Sequence, residues 1–270
     1  MASILGPLVV EPGATALITD FDGTLSSIVE DPASARPLEG VPELLDRLSQ
    51  NFGVVAVVSG RPVTFLVEHL FPHGSSINQV RLVGLYGMEE VGPDGSSRLT
   101  AAAKPWLPVV VDVAVRLQAD APPGVLVEGK GAAVTVHWRR APGAENWVTG
   151  RLAEEALRSG LVPHPGRASI ELRPPLDIDK GTIVRELTAG YGAACFLGDD
   201  LGDLPAFAAL ARRAHEDGTN VVGVAVRDAE TAPEVVAAAD LVVDGPVGAR
   251  AILAWLEGAA SNPSPGVPDV

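Results

Sequence analysis

Two aspartates separated by one residue stand in the run Asp20-Phe21-Asp22-Gly23-Thr24-Leu25, directly after the short apolar run Thr15-Ala16-Leu17-Ile18-Thr19. Carboxylates at i and i+2 of an extended segment project to the same side. Ligands of open α/β sheets lie outside the carboxyl ends of the strands. Such a pair suits one nucleophile and one general acid/base, and it equally suits a hard, oxygen-seeking cation such as Mg2+. Gly23 lets the backbone turn away, and Thr24 offers a hydroxyl and an amide to a bound anion. Asp-Gly is also a common turn, so the weight rests on three further motifs at strand or helix ends.

Ser59-Gly60-Arg61 follows the apolar run Val54 to Val58. Ser59 can bond a phosphate oxygen, and a helix start after it can hold an anion; a serine N-cap explains the same residue equally well. Asp179-Lys180-Gly181-Thr182 opens a helical pattern. Lys180 there can neutralise a phosphate and restrain a nearby carboxylate, although alone it reads as a solvated surface lysine. Gly198-Asp199-Asp200, with Asp203, follows the apolar run Ala193 to Leu197. Clustered carboxylates repel one another unless a cation or a proton intervenes. An acidic helix N-terminus is the alternative, but three acids in so short a run favour a cation site.

The elements that must position these residues alternate between strand and helix, which predicts a parallel sheet covered on both faces. Strands are expected at 15–19, 54–58, 80–85, 193–197, 220–226 and 241–243, and helices at 42–50, to about Leu70, 203–213, 231–239 and 249–256. Residues from about 100 to 175 differ in texture. Helical spacing appears at 109–118 and 146–159, and strand patterns at 125–128, 134–139 and 168–173. In the run 134–139, Val134, Val136 and Trp138 alternate with Thr135, His137 and Arg139, the period-2 mark of a sheet with one face open to solvent or ligand. The expected organisation is a split Rossmann-like core over 1–100 and 176–258, an inserted α+β module over 101–175, and a disordered tail over 259–270. Two crossings, near 98–104 and 174–178 and flanked by prolines, form an expected hinge whose closure would exclude water.

The four motifs, in this order and each at an element terminus, resemble the haloacid dehalogenase-like phosphohydrolase superfamily. The resemblance implies that Asp20 is a nucleophile forming an aspartyl-phosphate and that Asp22 is the general acid/base. It implies that Ser59 and Lys180 bind the transferring phosphoryl, with Thr24 and Gly60 beside them. Asp20, the Asp22 carbonyl and Asp199 would hold Mg2+, with Asp200 or Asp203 in support. The insert occupies the position of a type C2 cap. Several phrases look like trehalose-6-phosphate phosphatases: Leu25-Ser26-Ser27-Ile28-Val29-Glu30-Asp31-Pro32, Gly84-Leu85-Tyr86-Gly87-Met88-Glu89, Val127-Glu128-Gly129-Lys130 leading into Val134-Thr135-Val136-His137-Trp138-Arg139, and Ile170-Glu171-Leu172-Arg173-Pro174-Pro175. By that resemblance Glu128, Lys130 and Glu171 contact the distal glucose. Arg139 and Arg173 share a parity with His137 and Glu171 and join this sugar-facing set, whose mixed donors and acceptors suit hydroxyls; a solvated face with surface ion pairs is the plain alternative. The chain departs from the family in carrying Tyr86-Gly87 where a histidine-glycine is usual, and Leu201-Gly202-Asp203 where more acids are usual.

Composition sets the limits. The 270 residues are 47% hydrophobic, enough for a sizeable core, and the net charge of −14 excludes nucleic-acid binding or membrane attraction driven by overall charge. A single cysteine, Cys195, excludes an intramolecular disulfide framework and reads as a reducing, cytoplasmic location. No apolar run approaches the roughly 20 residues of a membrane span. His69, His73, His164 and His215 lack ligand-like spacing, and the four tryptophans read as packing residues. The expected activity is Mg2+-dependent hydrolysis of trehalose 6-phosphate. The alternatives are a phosphatase for another glycosyl phosphate, such as sucrose phosphate or glucosyl-3-phosphoglycerate, and a non-catalytic partner of a trehalose-phosphate synthase. That synthase is also a candidate partner of an active enzyme.

Overall fold

The structure, a computed structural model, describes residues 2–29, 31–71, 79–91 and 96–261. His73 and the part of the expected tail over 262–270 lie outside the described residues. In chain order the strands are β1 (Thr15–Thr19), β2 (Val54–Val58), β3 (Val80–Gly84), β4 (Glu89–Val91), β5 (Ser97–Leu99), β6 (Leu126–Gly129), β7 (Val134–His137), β8 (Val162–Gly166), β9 (Ser169–Arg173), β10 (Ala193–Gly198), β11 (Asn220–Arg227) and β12 (Leu241–Asp244). The helices are α1 (Ala2–Leu5), α2 (Val41–Ser49), α3 (Val63–Leu70), α4 (Leu107–Asp120), α5 (Glu145–Ser159), α6 (Lys180–Thr188), α7 (Leu204–Asp217), α8 (Pro233–Ala237) and α9 (Gly245–Ser261). The chain divides into two compact units: Met1–Gly87 with Val91–Ser96 and Ile178–Val270, and Met88–Glu90 with Ser97–Asp177.

The first unit is a three-layer α/β arrangement. Its central strands run in the order β12-β11-β10-β1-β2-β3, with every neighbour parallel. The strands are apolar on both faces because both are covered. Leu17, Val55, Val57, Cys195 and Leu197 face α2 and α9 through Leu44, Leu45, Leu48, Ile252, Leu253 and Leu256. Ala16, Ile18, Ala56, Val58, Ala194 and Phe196 face α6 and α7 through Val184, Ala206, Phe207 and Leu210. Small residues on this second face let the helices approach closely. A methyl group at Gly181 would lie 2.4 Å from the Pro205 carbonyl oxygen. Burial pushes the Cys195 thiol up to about 12, so this sulfur stays protonated and inert. Among the described residues no helix is long and apolar enough to cross a membrane.

The second unit carries an antiparallel sheet in the order β6-β7-β9-β8. One face holds its own core: Val110, Val113 and Leu117 of α4, Val148 and Leu152 of α5, Val134 and Val136 of β7, and Leu172 of β9. Between the two helices, Glu155 is buried and takes Arg116 Nη2 at 2.7 Å and Arg151 Nη1 at 2.7 Å. The Arg116 bond, more than any other contact, holds its carboxyl below the usual range. A depressed folded-state value contributes stability above the ordinary 4.5 and loses it as pH falls through the folded value. Glu155→Gln is therefore expected to cost about 2 kcal/mol at pH 7, by leaving two guanidinium groups short of a counter-charge. The deficit should shrink as the pH of urea denaturation is lowered below 4.5. A deficit that does not change with pH would show that the charge is not what matters.

Several boundaries differ from expectation. β8 was not expected, since Pro163 and Pro165 lie within it. It is an edge strand, where a missing N–H costs nothing if that side faces away from the ladder. β7 ends at His137 rather than Arg139, because the chain turns there, with Ala141 N bonded to Trp138 O at 2.8 Å. The final helix is longer than expected at both ends, and α8 is shorter. The segment before β1 also belongs to the core: Leu5 and Leu8 are fully buried.

Candidate active site

The strand order reverses at the centre of the first unit, and β1 and β10 lie side by side there. This is the switch point at which open α/β sheets bind ligands. Asp20 leaves the sheet just past β1, with its N–H bonded to Leu197 O at 2.9 Å. Asp199 leaves just past β10. Gly23 makes their approach feasible: its φ is +75, and a methyl group there would fall 2.2 Å from Asp199 Oδ2. Only glycine supplies both the left-handed turn and the space.

Lys180 is the first residue of α6, whose N-cap Asp179 accepts the Thr182 N–H at 2.7 Å. Lys180 Nζ lies 2.8 Å from Asp20 Oδ1 and 2.6 Å from Asp203 Oδ1. The other Asp203 oxygen accepts the Asp199 N–H at 2.9 Å and the Asp200 N–H at 3.1 Å. Asp200 instead caps the following turn, accepting the Gly202 N–H at 2.8 Å. Asp20, Asp199, Asp203 and Lys180 are all buried. The Lys180 ammonium thus bridges two buried carboxylates, Asp20 and Asp203. Burial, reinforced by the neighbouring Asp203 and Asp200, pushes the Asp20 carboxyl well above the usual range despite Lys180. Burial also raises Asp203. For Lys180, burial works toward neutrality, but Asp20, Asp203 and Asp200 outweigh it and hold the ammonium well above its ordinary value.

Asp20, Asp199 and Asp203 each offer a carboxylate oxygen, and these atoms lie within 4.8 Å of one another. An all-oxygen donor set with excess negative charge fits a hard divalent cation. Asp203 commits both oxygens to Lys180 and two amides, so Asp20 and Asp199 are the better placed of the three to serve one.

Ser59 is buried after β2, and its Oγ accepts the Arg61 N–H at 3.1 Å. Thr24 Oγ1 donates to Asp199 Oδ1 at 3.4 Å. Sequence reasoning left Arg61 without a role. The structure pairs it with Asp22 through two bonds, Nε to Oδ2 at 2.7 Å and Nη2 to Oδ1 at 2.8 Å. Its third nitrogen donates to Pro32 O at 2.8 Å, and its guanidinium lies 4.5 Å from the Phe65 ring centroid. Such a fork fixes the orientation of a carboxylate as well as its charge. An arginine directly after Ser-Gly at a strand end was the available signal, but its partner depends on which strands are neighbours.

In the second unit, the face opposite the core brings four of the five expected sugar-site residues together. Glu128, Thr135, Glu171 and His164 form a row across β6, β7, β9 and β8. Lys130 Nζ sits 3.5 Å from both Glu128 Oε2 and Glu171 Oε1. Arg173 Nε donates to Glu171, and Thr135 Oγ1 donates to Glu171 at 2.8 Å. Burial alone would raise Glu171, yet Lys130 and Arg173 hold its carboxyl below the usual range. His137, absent from the expected set, bonds Glu128 Oε2 at 2.9 Å. Arg139 lies in the turn beyond β7. His69 stacks on Phe65, with ring centroids 4.1 Å apart. Trp106, Trp138 and Trp147 pack against the second unit's core.

Comparison with known proteins gives this arrangement relatives. A family model described as trehalose-phosphatase matches residues 18–239. A trehalose-phosphate phosphatase of Mycobacterium leprae is 37% identical over 209 residues, covering 72% of this chain and 47% of its own length. The chain spans about half the length of the curated relatives it matches. The C-terminal domain of Candida albicans trehalose-6-phosphate phosphatase superposes with a TM-score of 0.72 at 26% identity, covering 93% of this chain and 96% of that one. A trehalose-6-phosphate phosphatase related protein gives a TM-score of 0.75 at 22% identity, with 92% and 99% covered, a likeness of fold.

Proposed function

This chain belongs to the trehalose-phosphatase family, and from that premise we propose that it is a Mg2+-dependent phosphatase hydrolysing trehalose 6-phosphate to trehalose and phosphate. The observation that carries the reading is the buried contact of Lys180 with Asp20 beside Asp199, at the switch point of the sheet.

In the first step an Asp20 carboxylate oxygen attacks phosphorus, and the bond from phosphorus to the sugar oxygen breaks. Asp22, protonated on one oxygen after Arg61 gives up one of its two bonds to it, donates that proton to the leaving oxygen, and an aspartyl-phosphate remains. In the second step Asp22 takes a proton from water, whose oxygen attacks the same phosphorus, releasing phosphate and restoring Asp20. Lys180, the Ser59 hydroxyl, Thr24 and the Gly60 backbone hold the transferring oxygens, aimed where charge develops. Arg61 keeps Asp22 oriented between the two steps. Mg2+, held by Asp20, the Asp22 carbonyl and Asp199, would offset the repulsion between an anionic nucleophile and an anionic substrate. The second unit takes the part of the cap, with Glu128, Lys130, Glu171 and Arg173 bonding sugar hydroxyls. The compartment is the reducing cytoplasm, in keeping with one buried free cysteine.

A panel of sugar phosphates, assayed for phosphate release with Mg2+ and with EDTA, tests this directly. Trehalose 6-phosphate should be turned over far faster than glucose 6-phosphate or sucrose phosphate, and EDTA should stop release. Equal turnover of unrelated esters would sink the trehalose assignment while leaving a general phosphatase standing.

A further inference from the structure

The end of β3 holds an unusual piece of backbone. Leu85, Tyr86 and Gly87 all have positive φ, at 50, 59 and 108 degrees. Two of the three are not glycine, and L residues take this conformation only when their surroundings hold them there. The surroundings here are the residues assigned to phosphate. Ser59 N bonds Val83 O at 2.9 Å, Leu85 N bonds Arg61 O at 3.0 Å, and Tyr86 N bonds Ser59 O at 3.0 Å. Three backbone bonds therefore lace this segment to the Ser59–Arg61 loop.

The contacts are close on both sides. A methyl group at Gly60 would come within 2.5 Å of the Tyr86 hydroxyl, so the phenol lies on the bare Cα of the loop's central residue. At the other edge, a methyl group at Gly87 would meet Ile183 Cδ1 at 2.6 Å and Ile178 Cγ2 at 2.8 Å. Those isoleucines flank Lys180. The left-handed segment thus lies in close contact with both the loop that carries Ser59 and the helix start that carries Lys180.

We propose that Tyr86 is a positioning residue for phosphate. Its phenol clamps Gly60, and its left-handed backbone fixes the Ser59–Arg61 loop against the start of α6. The inference rests on the phosphatase reading and assigns that site a residue it did not include.

The test measures inorganic phosphate binding by calorimetry in MgCl2, beside melting temperature, for wild type and variants. Tyr86→Gly relieves the backbone and removes the phenol. It should weaken phosphate about tenfold, the loss expected from misaligning one hydrogen bond to a charged group, while the melting temperature holds or rises. Tyr86→Phe keeps the ring on Gly60 and should stay within about twofold of wild type. A residue that only supports the fold would show the opposite in Tyr86→Gly, with a lower melting temperature and unchanged phosphate affinity, and that result overturns the proposal. So does a Tyr86→Phe loss as large as that of Tyr86→Gly, which would make the hydroxyl a direct ligand. Gly60→Ala probes the contact from its other side. Its loss of affinity should be smaller in a Tyr86→Ala background than alone, and strictly additive losses count against the clamp. Wild type that binds phosphate but hydrolyses no ester overturns the phosphatase reading alone. Wild type that hydrolyses the ester, with Tyr86→Gly binding phosphate normally, overturns this inference alone.

Discussion

On the proposed mechanism, Asp20→Asn is expected to abolish phosphate release, with kcat reduced by at least about 10^4-fold, the scale seen when a nucleophile is removed from an otherwise intact site. The variant should stay folded. Asparagine has nearly the shape of aspartate but no charge to desolvate, and burial is the main force pushing the Asp20 carboxyl up. Lys180 keeps Asp203 at 2.6 Å as a partner. In EDTA the variant should therefore melt no lower than wild type. Mg2+ should stabilise it less than wild type, since one of the acids that draw the cation is gone. Full activity in Asp20→Asn would refute the nucleophile assignment. A collapse in melting temperature would refute the electrostatic account of the site.

Lys180→Met is expected to unbalance the same cluster in the opposite sense. The lysine is the ammonium that contacts Asp20 and Asp203, and its side chain is 3% exposed. Methionine fills similar space without the charge, leaving the buried acids uncompensated at a cost of about 3–5 kcal/mol near neutral pH. The pH dependence has a definite sign. Asp20 and Asp203 have folded-state values raised above their ordinary 3.8. Groups raised on folding contribute stability that is complete below the unfolded value and is lost as pH rises through the folded one. Removing Lys180 raises both acids further. The deficit of Lys180→Met against wild type should therefore be small at acid pH and widen toward pH 8 in urea denaturation with EDTA. Added Mg2+ should recover more stability in the variant than in wild type. A deficit that is flat with pH would mean that lost packing, not lost charge, accounts for it.

The clustering of the acidic residues in the first unit was legible because they are local. Asp20 with Asp22, and Asp199 with Asp203, sit in short runs that mark the ends of apolar strands, and that the ends of parallel strands share one edge follows from the fold class. What pairs across the sheet was not legible. Arg61 meets Asp22 because β2 lies beside β1, which no local pattern states. Lys180 binding Asp203 as well as Asp20 likewise required α6 to lie beside the turn after β10. In the second unit, alternation correctly separated Val134 and Val136 from Thr135 and His137. It also suggested an open face, whereas Thr135 and Glu171 are buried, since Lys130 and Arg173 spend their length on their neighbours. β8 escaped notice because proline lowers strand propensity everywhere except at an edge. The left-handed segment at Tyr86 escaped it because one glycine after two bulky residues reads as an ordinary turn. The first fourteen residues carry none of the four motifs, yet they supply Leu5 and Leu8 to the core.

The pairing of β1 with β10 has a consequence for how the chain matures during synthesis. Thr15 is registered against Ala193, so the central ladder of the first unit joins segments far apart in the chain. At roughly 5–20 residues per second, the partner of β1 leaves the ribosome about 10–35 s after β1 itself. Over that interval Ala16, Leu17 and Ile18 have β2 available on one side only. The second unit has no such delay, because its core residues all fall between Val110 and Leu172. The order of events should be a second unit formed on the nascent chain and a first unit that waits. Its half-built sheet edge is then the part of the molecule most in need of a chaperone.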